Sequence, residues 1–191
     1  MKTDELEKNL KEGKLDSIYL LHGEETYLLE AAVKKIKTLF GEKVAGINYI
    51  TIDETNLPEL INNLEMPAFG FERKLIVVKN SDLFKKETKK KSAKAQTEAQ
   101  KIAEYIIDNA NEVKTSNVIV FIAEEAEKND LYQAIEKTGV ICNFEKLKPN
   151  EIVKRLKAIC SAYKVKTDES TLSYLIQNSR YRNARTNRRN T

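Results

Sequence analysis

The sequence predicts an α/β domain in which a mainly parallel sheet carries helices on both of its faces. Three observations support this prediction. Short runs of β-branched and apolar residues alternate along the chain with segments of helical periodicity. Lys74–Lys79 and Asn117–Ala123 are almost continuously apolar, as expected for strands buried on both faces. The first run also leads through Gly23 into a long amphipathic helix, which is how nucleotide-binding α/β domains begin.

Five short segments are predicted as strands because they are rich in residues that favour the pleated backbone. In chain order they are Ser17–His22, Ile47–Asp53, Lys74–Lys79, Asn117–Ala123 and Gly139–Phe144. The segments between them are predicted as the helices that connect parallel strands. These are Glu25–Phe40, Asn56–Leu64, Ala95–Ala110 and Asn129–Lys137. Met66–Phe71 is predicted as a loop or a frayed helix end, and Lys85–Lys94 as a polar loop or helix start.

The pattern changes after residue 145, where strand-like runs give way to helical ones. Pro149 begins a helix at its first turn, and Thr167–Ser170 caps a second one. The inward positions are predicted to be Ile152, Val153, Leu156, Ile159 and Cys160 on the first helix and Leu172, Leu175 and Ile176 on the second. We therefore predict an α/β domain over residues 1–145, the start of a small helical domain over 146–179, and an Arg- and Asn-rich tail over 180–191.

The turn after the first strand lacks the residues that a phosphate loop needs. Phosphate binding uses G-x-x-x-x-G-K-[ST], in which glycines let backbone amides approach the anion and the lysine neutralises it. Here Gly23, Glu24, Glu25 and Thr26 occupy the turn, and the second glycine and the Lys-Ser/Thr pair are missing. Two carboxylates would repel a triphosphate, so we predict a degenerate loop that binds no nucleotide. An acid–base or metal role for the two glutamates is the weaker alternative, because a helix N-terminus favours acids by itself.

Composition narrows the possible functions. The chain has 191 residues, 41% hydrophobic and 32% charged, and no apolar run approaches the ~20 residues that span a bilayer. Its polar start predicts no signal peptide, and Cys142 and Cys160 lie in apolar segments, which favours a reduced, cytoplasmic protein without a metal cluster. His22 is the single histidine, so a histidine-rich metal site or a Ser-His-Asp triad is not expected.

The net charge of +4 comes from the tail, whose last twelve residues contain five arginines and no acid. Without those five charges the body of the chain is close to neutral, so charge alone does not predict a nucleic-acid-binding body. Two basic segments leave that class open as an alternative: the tail, and the lysine-rich stretch Lys85–Lys94.

Two motifs in this chain resemble a known family. YLLxGEExYLxxxA starts at Tyr19, and PxFGxERKLxVVKN starts at Pro67. Together with the intervening pattern, over roughly residues 15–179, they resemble the delta subunit of the bacterial DNA polymerase III clamp loader. The resemblance implies an AAA+-like, P-loop-type fold without a working phosphate loop. It also implies a subunit of the DNA-directed DNA polymerase holoenzyme (a nucleotidyltransferase) that has no catalytic residues and no cofactor of its own.

The resemblance further implies what this subunit does and what it meets. Delta subunits bind the ring-shaped sliding clamp (the beta subunit), open one of its interfaces and help to place it on primed DNA. The implied partners are the clamp, the ATP-hydrolysing loader subunits, delta-prime and, indirectly, DNA, with no membrane. The clamp-binding residues map to Met66, Pro67, Phe69 and Phe71, with Ala68 where some relatives have a larger apolar residue. The alternative is that the aromatic side chains of this loop fold back onto the core.

The tail from Ser179 has no counterpart in that family. If its codons are AT-rich, a shift of one base after Asn178 converts it into an acidic amphipathic helix. We therefore expect a frameshift near Asn178–Tyr181 and a truncated delta subunit that does not join the other loader subunits stably. Two other functions stay open at this point. One is a P-loop-like nucleotide-binding protein, and the other is a small DNA- or RNA-binding module that uses the basic tail.

Overall fold

The computed structural model describes residues 1–85 and 96–186; for residue 177 and residues 179–186 it describes the backbone only. Most of the predicted stretch Lys85–Lys94 and the last five residues of the tail lie outside the described residues. The chain divides into two units, Met1–Glu145 and Lys146–Thr191.

The described part of the first unit is built on a five-stranded parallel sheet. Its strands are β1 (Ile18–His22), β2 (Tyr49–Ile52), β3 (Lys74–Val78), β4 (Asn117–Ala123) and β5 (Val140–Asn143). The spatial order is β2-β3-β4-β1-β5, so β3, β4 and β1 are interior strands. Interior parallel strands are covered on both faces, which explains why β3 is buried at all five positions. The predicted α/β fold is confirmed.

In the described residues of this unit, six α-helices cover the two faces of the sheet. They are α1 (Thr3–Lys11), α2 (Thr26–Phe40), α3 (Leu60–Glu65), α4 (Glu98–Asp108), α5 (Ala110–Ser116) and α6 (Asp130–Thr138). Alternate side chains of a strand point to opposite faces. Ile18 and Leu20 of β1 therefore pack in the layer with α3, α4, α5 and α6. Tyr19 and Leu21 pack in the layer with α1 and α2.

Two helices of this unit are missing from the sequence prediction. In α1, Leu6 and Leu10 are buried one turn apart, and the remaining polar residues concealed this short apolar stripe. The predicted helix Ala95–Ala110 is observed as α4, which has a Thr97–Gln100 capping box and ends at Asp108. A separate helix, α5, follows directly and leads into β4.

The second unit contains α7 (Pro149–Ala162) and α8 (Glu169–Thr186). Its small core consists of Val153, Leu172 and Ile176, with Ile152, Leu156 and Cys160 packed against it. Two predicted inward residues are wrong: Ile159 is 49% exposed and Leu175 is 51% exposed. The backbone of α8 continues to Thr186, so the tail is helical at its start although its sequence shows no apolar periodicity.

Candidate partner-binding site

The segment Met66–Phe71, called the tip below, is a loop that carries apolar side chains into solvent. It follows the last residue of α3, and within it Met66 is 51% exposed and Phe69 is 64% exposed. Phe71 is only half-buried and Pro67 is exposed. Phe69 therefore does not fold back onto the core, and it is the more accessible of the two phenylalanines.

The backbone of the tip is strained at Phe69, the most exposed side chain of this loop that the structure describes. Phe69 and Gly70 adopt consecutive positive φ angles of 38° and 94°. The amide of Phe71 donates a hydrogen bond to the carbonyl of Ala68 at 3.1 Å and closes the turn. Glycine tolerates the left-handed region freely, whereas phenylalanine loses roughly 1 kcal/mol there. The turn thus holds a large apolar residue in a strained and exposed position, an arrangement typical of functional sites.

Buried polar side chains connect the base of the tip to the sheet. Lys74, the first residue of β3, is 2% exposed, and its ammonium group donates to the backbone carbonyls of Asn63 and Met66. Burial lowers the pKa of Lys74. Asn117, the first residue of β4, is fully buried and donates from Nδ2 to the carbonyl of Leu64 at 3.2 Å. The carboxyl end of α3 is therefore held by the amino ends of two interior strands.

A second basic residue lies directly before Lys74. The Nη2 atom of Arg73 donates to Ser17 Oγ at 2.8 Å, to the carbonyl of Asn117 at 3.0 Å and to that of Lys114 at 3.4 Å. One guanidinium group thus joins the chain before β1, the start of β4 and the end of α5. The sequence analysis did not identify Arg73, Lys74 and Asn117 as structural polar residues. For the first two, the available signal was a pair of positive charges directly before an apolar strand.

The degenerate phosphate loop follows the carboxyl end of β1, whereas the base of the tip is held by the amino ends of β3 and β4. Gly23 has φ 129°, and a Cβ atom on it would lie 2.3 Å from the carbonyl oxygen of Phe144. The amide of Gly23 donates to Ala123 at 3.3 Å, that of Glu25 to Phe144 at 3.0 Å and that of Thr26 to Glu24 at 3.0 Å. Three amides of the loop are therefore engaged with protein carbonyls. The chain after β5 leaves no space for a side chain at position 23, which explains why this loop keeps a glycine there.

A cleft of about 990 Å³ lies beside this loop, over the carboxyl ends of β1, β3 and β4. Such a crevice is where open α/β sheets commonly bind ligands. Its charged lining is mixed and consists of Glu30, Glu54, Asp82, Glu124, Glu125, Lys34, Lys37, Lys79 and Lys85. The Lys37 ammonium group donates to Tyr49 Oη at 2.7 Å. Among the described residues that line it, the cleft has the position of a nucleotide site but shows no excess of positive over negative side chains.

Two further findings concern the described residues only. No group of three or more histidine, cysteine, aspartate and glutamate side chains in 1–85 and 96–186 is arranged to hold a metal ion. Within the same part of the chain, none of the helices is both long and apolar enough to cross a membrane.

Comparison with known proteins yields a family and a fold. The family model of the DNA polymerase III delta subunit matches residues 19–157. DNA polymerase III subunit delta of Bacillus subtilis (strain 168) is 29% identical over 150 residues, which are 75% of this chain and 42% of that protein. The solved structure of the Bacillus subtilis DNA clamp loader delta protein is similar with a TM-score of 0.69 and 23% identity. That match covers 91% of this chain and 51% of the solved one, so the chain spans about half the length of these relatives.

Proposed function

The chain belongs to the family of DNA polymerase III delta subunits, and from that premise we propose that it binds the sliding clamp through the tip and helps to open it. The observation that carries this proposal is the exposure of Phe69 and Met66 on a loop that is closed by its own hydrogen bond and held at its base by Lys74. The proposed partners are the clamp, the loader ATPase subunits and delta-prime, with DNA contacted through the complex.

The chemistry of the tip favours an apolar pocket as its binding partner. Aromatic side chains that fill a pocket commonly provide most of the binding energy of a protein interface. Phe69 and Met66 are large and exposed, and they lie within four residues of each other. Both therefore lose unfavourable contact with water when a partner covers them. Phe71 is half-buried, so we assign it to the support of the turn rather than to the pocket.

Opening of a ring requires more than binding. A ligand shifts an equilibrium only by the difference between its affinities for the two states. The tip can favour an open clamp interface only if it binds the open form more tightly than the closed form. We propose that this difference in affinity supplies the opening step, and that ATP hydrolysis takes place on other subunits. The engaged amides and the two glutamates of the degenerate loop support this division of roles.

Phe69→Ala tests the proposal. Loss of an aromatic anchor commonly costs ~2 kcal/mol or more at an interface, so clamp affinity should fall by more than ~tenfold. Thermal stability should stay close to that of the wild type, because truncation of an exposed side chain leaves no cavity. Surface plasmon resonance with immobilised clamp and a thermal melt provide the two measurements.

Tyr27→Ala is the matched control, since Tyr27 is an aromatic residue of α2 that is 72% exposed and lies outside the tip. We expect it to bind the clamp as the wild type does. If Phe69→Ala melts much earlier while its folded fraction binds the clamp normally, the tip is a structural element and the proposed function is wrong.

A further inference from the structure

We infer that Lys74 is a positioning residue for the tip. Its ammonium group joins the end of α3 to the first residue of the tip and so fixes the direction in which Phe69 leaves the protein. The consequence for partner binding rests on the proposed function, whereas the effect on the free protein does not.

The geometry places the ammonium group at a junction. Asn63 lies inside α3, and Met66 is the residue directly after it, in an extended conformation with ψ 137°. Lys74 donates to the carbonyls of both residues. The last carbonyls of a helix have no partner within the helix, and the negative end of the helix dipole attracts a cation. A single charge therefore stabilises both the helix end and the turn of the chain that leaves it.

The burial of Lys74 indicates that its ammonium group has a structural role, namely to bind the two backbone carbonyls. Lys74 is 2% exposed, and every following residue of β3 is apolar and buried. Lysine is almost never fully buried without partners, because the charge loses its hydration. Burial also lowers the pKa of Lys74, as expected when an ammonium group leaves water. An aliphatic residue of similar length would fill the same space without this cost, but it could not hold the two carbonyls.

Asn117 provides a second and independent brace. Its Nδ2 atom donates to the carbonyl of Leu64, which lies between the two residues that Lys74 holds. Three carbonyls around the end of α3 are thus tied to the first residues of two neighbouring interior strands. A binding element held in its bound geometry loses less conformational freedom on association, so such bracing increases affinity.

The test compares Lys74→Met with Lys79→Met. Lys74→Met keeps the length and the apolar stem but removes the donor. Lys79 directly follows the last residue of the same strand and is exposed, which makes it the matched control. Hydrogen exchange of the free protein is read at the amides of Met66 and Phe71, which donate to Asn62 and Ala68. The amide of Leu75, which donates to Asn48, is the internal reference.

We expect Lys74→Met to accelerate exchange at Met66 and Phe71 by at least ~tenfold while Leu75 stays unchanged, and Lys79→Met to change none of the three. Unchanged exchange at the tip of folded Lys74→Met, or an equal increase at all three amides, would overturn the inference. Should Lys74→Met not fold, Lys74→Gln provides an uncharged amide donor on a side chain that is one bond shorter, so it is not expected to hold both carbonyls. Faster exchange confined to the tip would support positioning, and wild-type exchange would show that the tip does not need both bonds and would overturn the inference.

Clamp affinity then separates the inference from the proposed function. Lys74→Met should weaken clamp binding by ~tenfold, and by less than ~threefold when Phe69→Ala is already present, because residues that act as a unit are not additive. Equal losses in both backgrounds would count against positioning. If the wild-type protein itself does not bind the clamp, the proposed function fails, while the exchange result still decides whether Lys74 holds the tip.

Discussion

His22 shows how burial of one side chain affects the stability of the whole domain. It is the last residue of β1, and burial lowers its pKa below the usual value of 6.5. The unfolded chain therefore takes up a proton at a higher pH than the folded chain. Stability is fully present above about pH 6.5 and declines as the pH falls toward the pKa of the folded form.

A substitution at His22 isolates this effect because the chain contains no other histidine. The wild type should lose stability between pH 7.5 and 5.5 in urea unfolding, whereas His22→Gln should lose much less over the same interval. Carboxylates contribute little there, because they titrate mainly below ~pH 5. Equal losses in the two proteins would show that His22 does not titrate differently in the folded and unfolded states.

At the residue scale, sequence patterns could predict the place of the tip but not its geometry. Pro67 and Gly70 marked the loop, and the two phenylalanines marked its apolar character. Which of them is exposed could not be predicted, and the positive φ of Phe69 could not either, because this conformation is uncommon for residues other than glycine. The structural role of Lys74 could not be predicted from the sequence for a related reason. Its partners are backbone carbonyls, which every residue has, so no pattern of side chains reveals them.

The turn between β1 and α2 illustrates the scale of secondary-structure elements, where backbone approach decides which residue fits. Gly23→Ala would place a Cβ atom 2.3 Å from the carbonyl oxygen of Phe144, a contact that backbone atoms cannot relieve by a side-chain rotation. We expect the variant to lose more than ~2 kcal/mol of unfolding free energy or to fail to fold, as for other severe overlaps in packed regions.

Gly46→Ala is the control for this prediction. Gly46 also has a positive φ, 78°, but a Cβ atom there would meet nothing within 4 Å. It should lose only the ~1–2 kcal/mol that alanine loses in the left-handed region. Urea unfolding measures both variants. A Gly23→Ala protein as stable as Gly46→Ala would show that the chain after β5 can move away from the turn.

The elements differ in how far the sequence could predict them. The segment Asn117–Ala123 is observed with the predicted bounds, because its apolar run is continuous from Val118 to Ala123 and is bounded by the polar residues Asn117 and Glu124. The predicted strand Ile47–Asp53 is observed only as Tyr49–Ile52. Among the strands of the described residues it pairs only with β3, at the edge of the sheet, so no second strand extends its ladder. Short helices such as α1 were missed, since two buried leucines give too weak a periodicity.

At the scale of the whole molecule, the first unit is a parallel α/β sheet with a cleft at the end where such sheets commonly bind ligands. The cleft lies over the strand ends, but the neighbouring amides of Gly23 and Glu25 donate to protein carbonyls. The strand order could not be predicted from the sequence, because apolar runs identify strands without saying which of them are neighbours. The class of fold could be predicted, because alternation of strands and helices restricts the sheet to parallel pairing.

This layout predicts that the isolated chain does not bind ATP with useful affinity. Bound phosphate needs converging amides and a lysine, whereas the turn presents Glu24 and Glu25. Isothermal titration calorimetry with Mg-ATP should give no saturable heat, with a P-loop ATPase in the same buffer as the positive control. Saturable binding at micromolar concentrations would contradict the prediction and restore the nucleotide-binding alternative.

Arg73 and Lys74 have a mechanical consequence if the tip binds and opens the clamp as proposed. A force between the tip and a partner would be transmitted to the rest of the protein through Met66. The carbonyl of Met66 accepts a hydrogen bond from Lys74, the first residue of β3. The load enters an interior strand that is hydrogen-bonded to β2 and β4 on its two sides. A pull along that strand would shear both ladders at once instead of opening their bonds one at a time. Arg73 joins the same region to the chain before β1 and to the end of α5, so such a force would be shared by several elements around the interior strands.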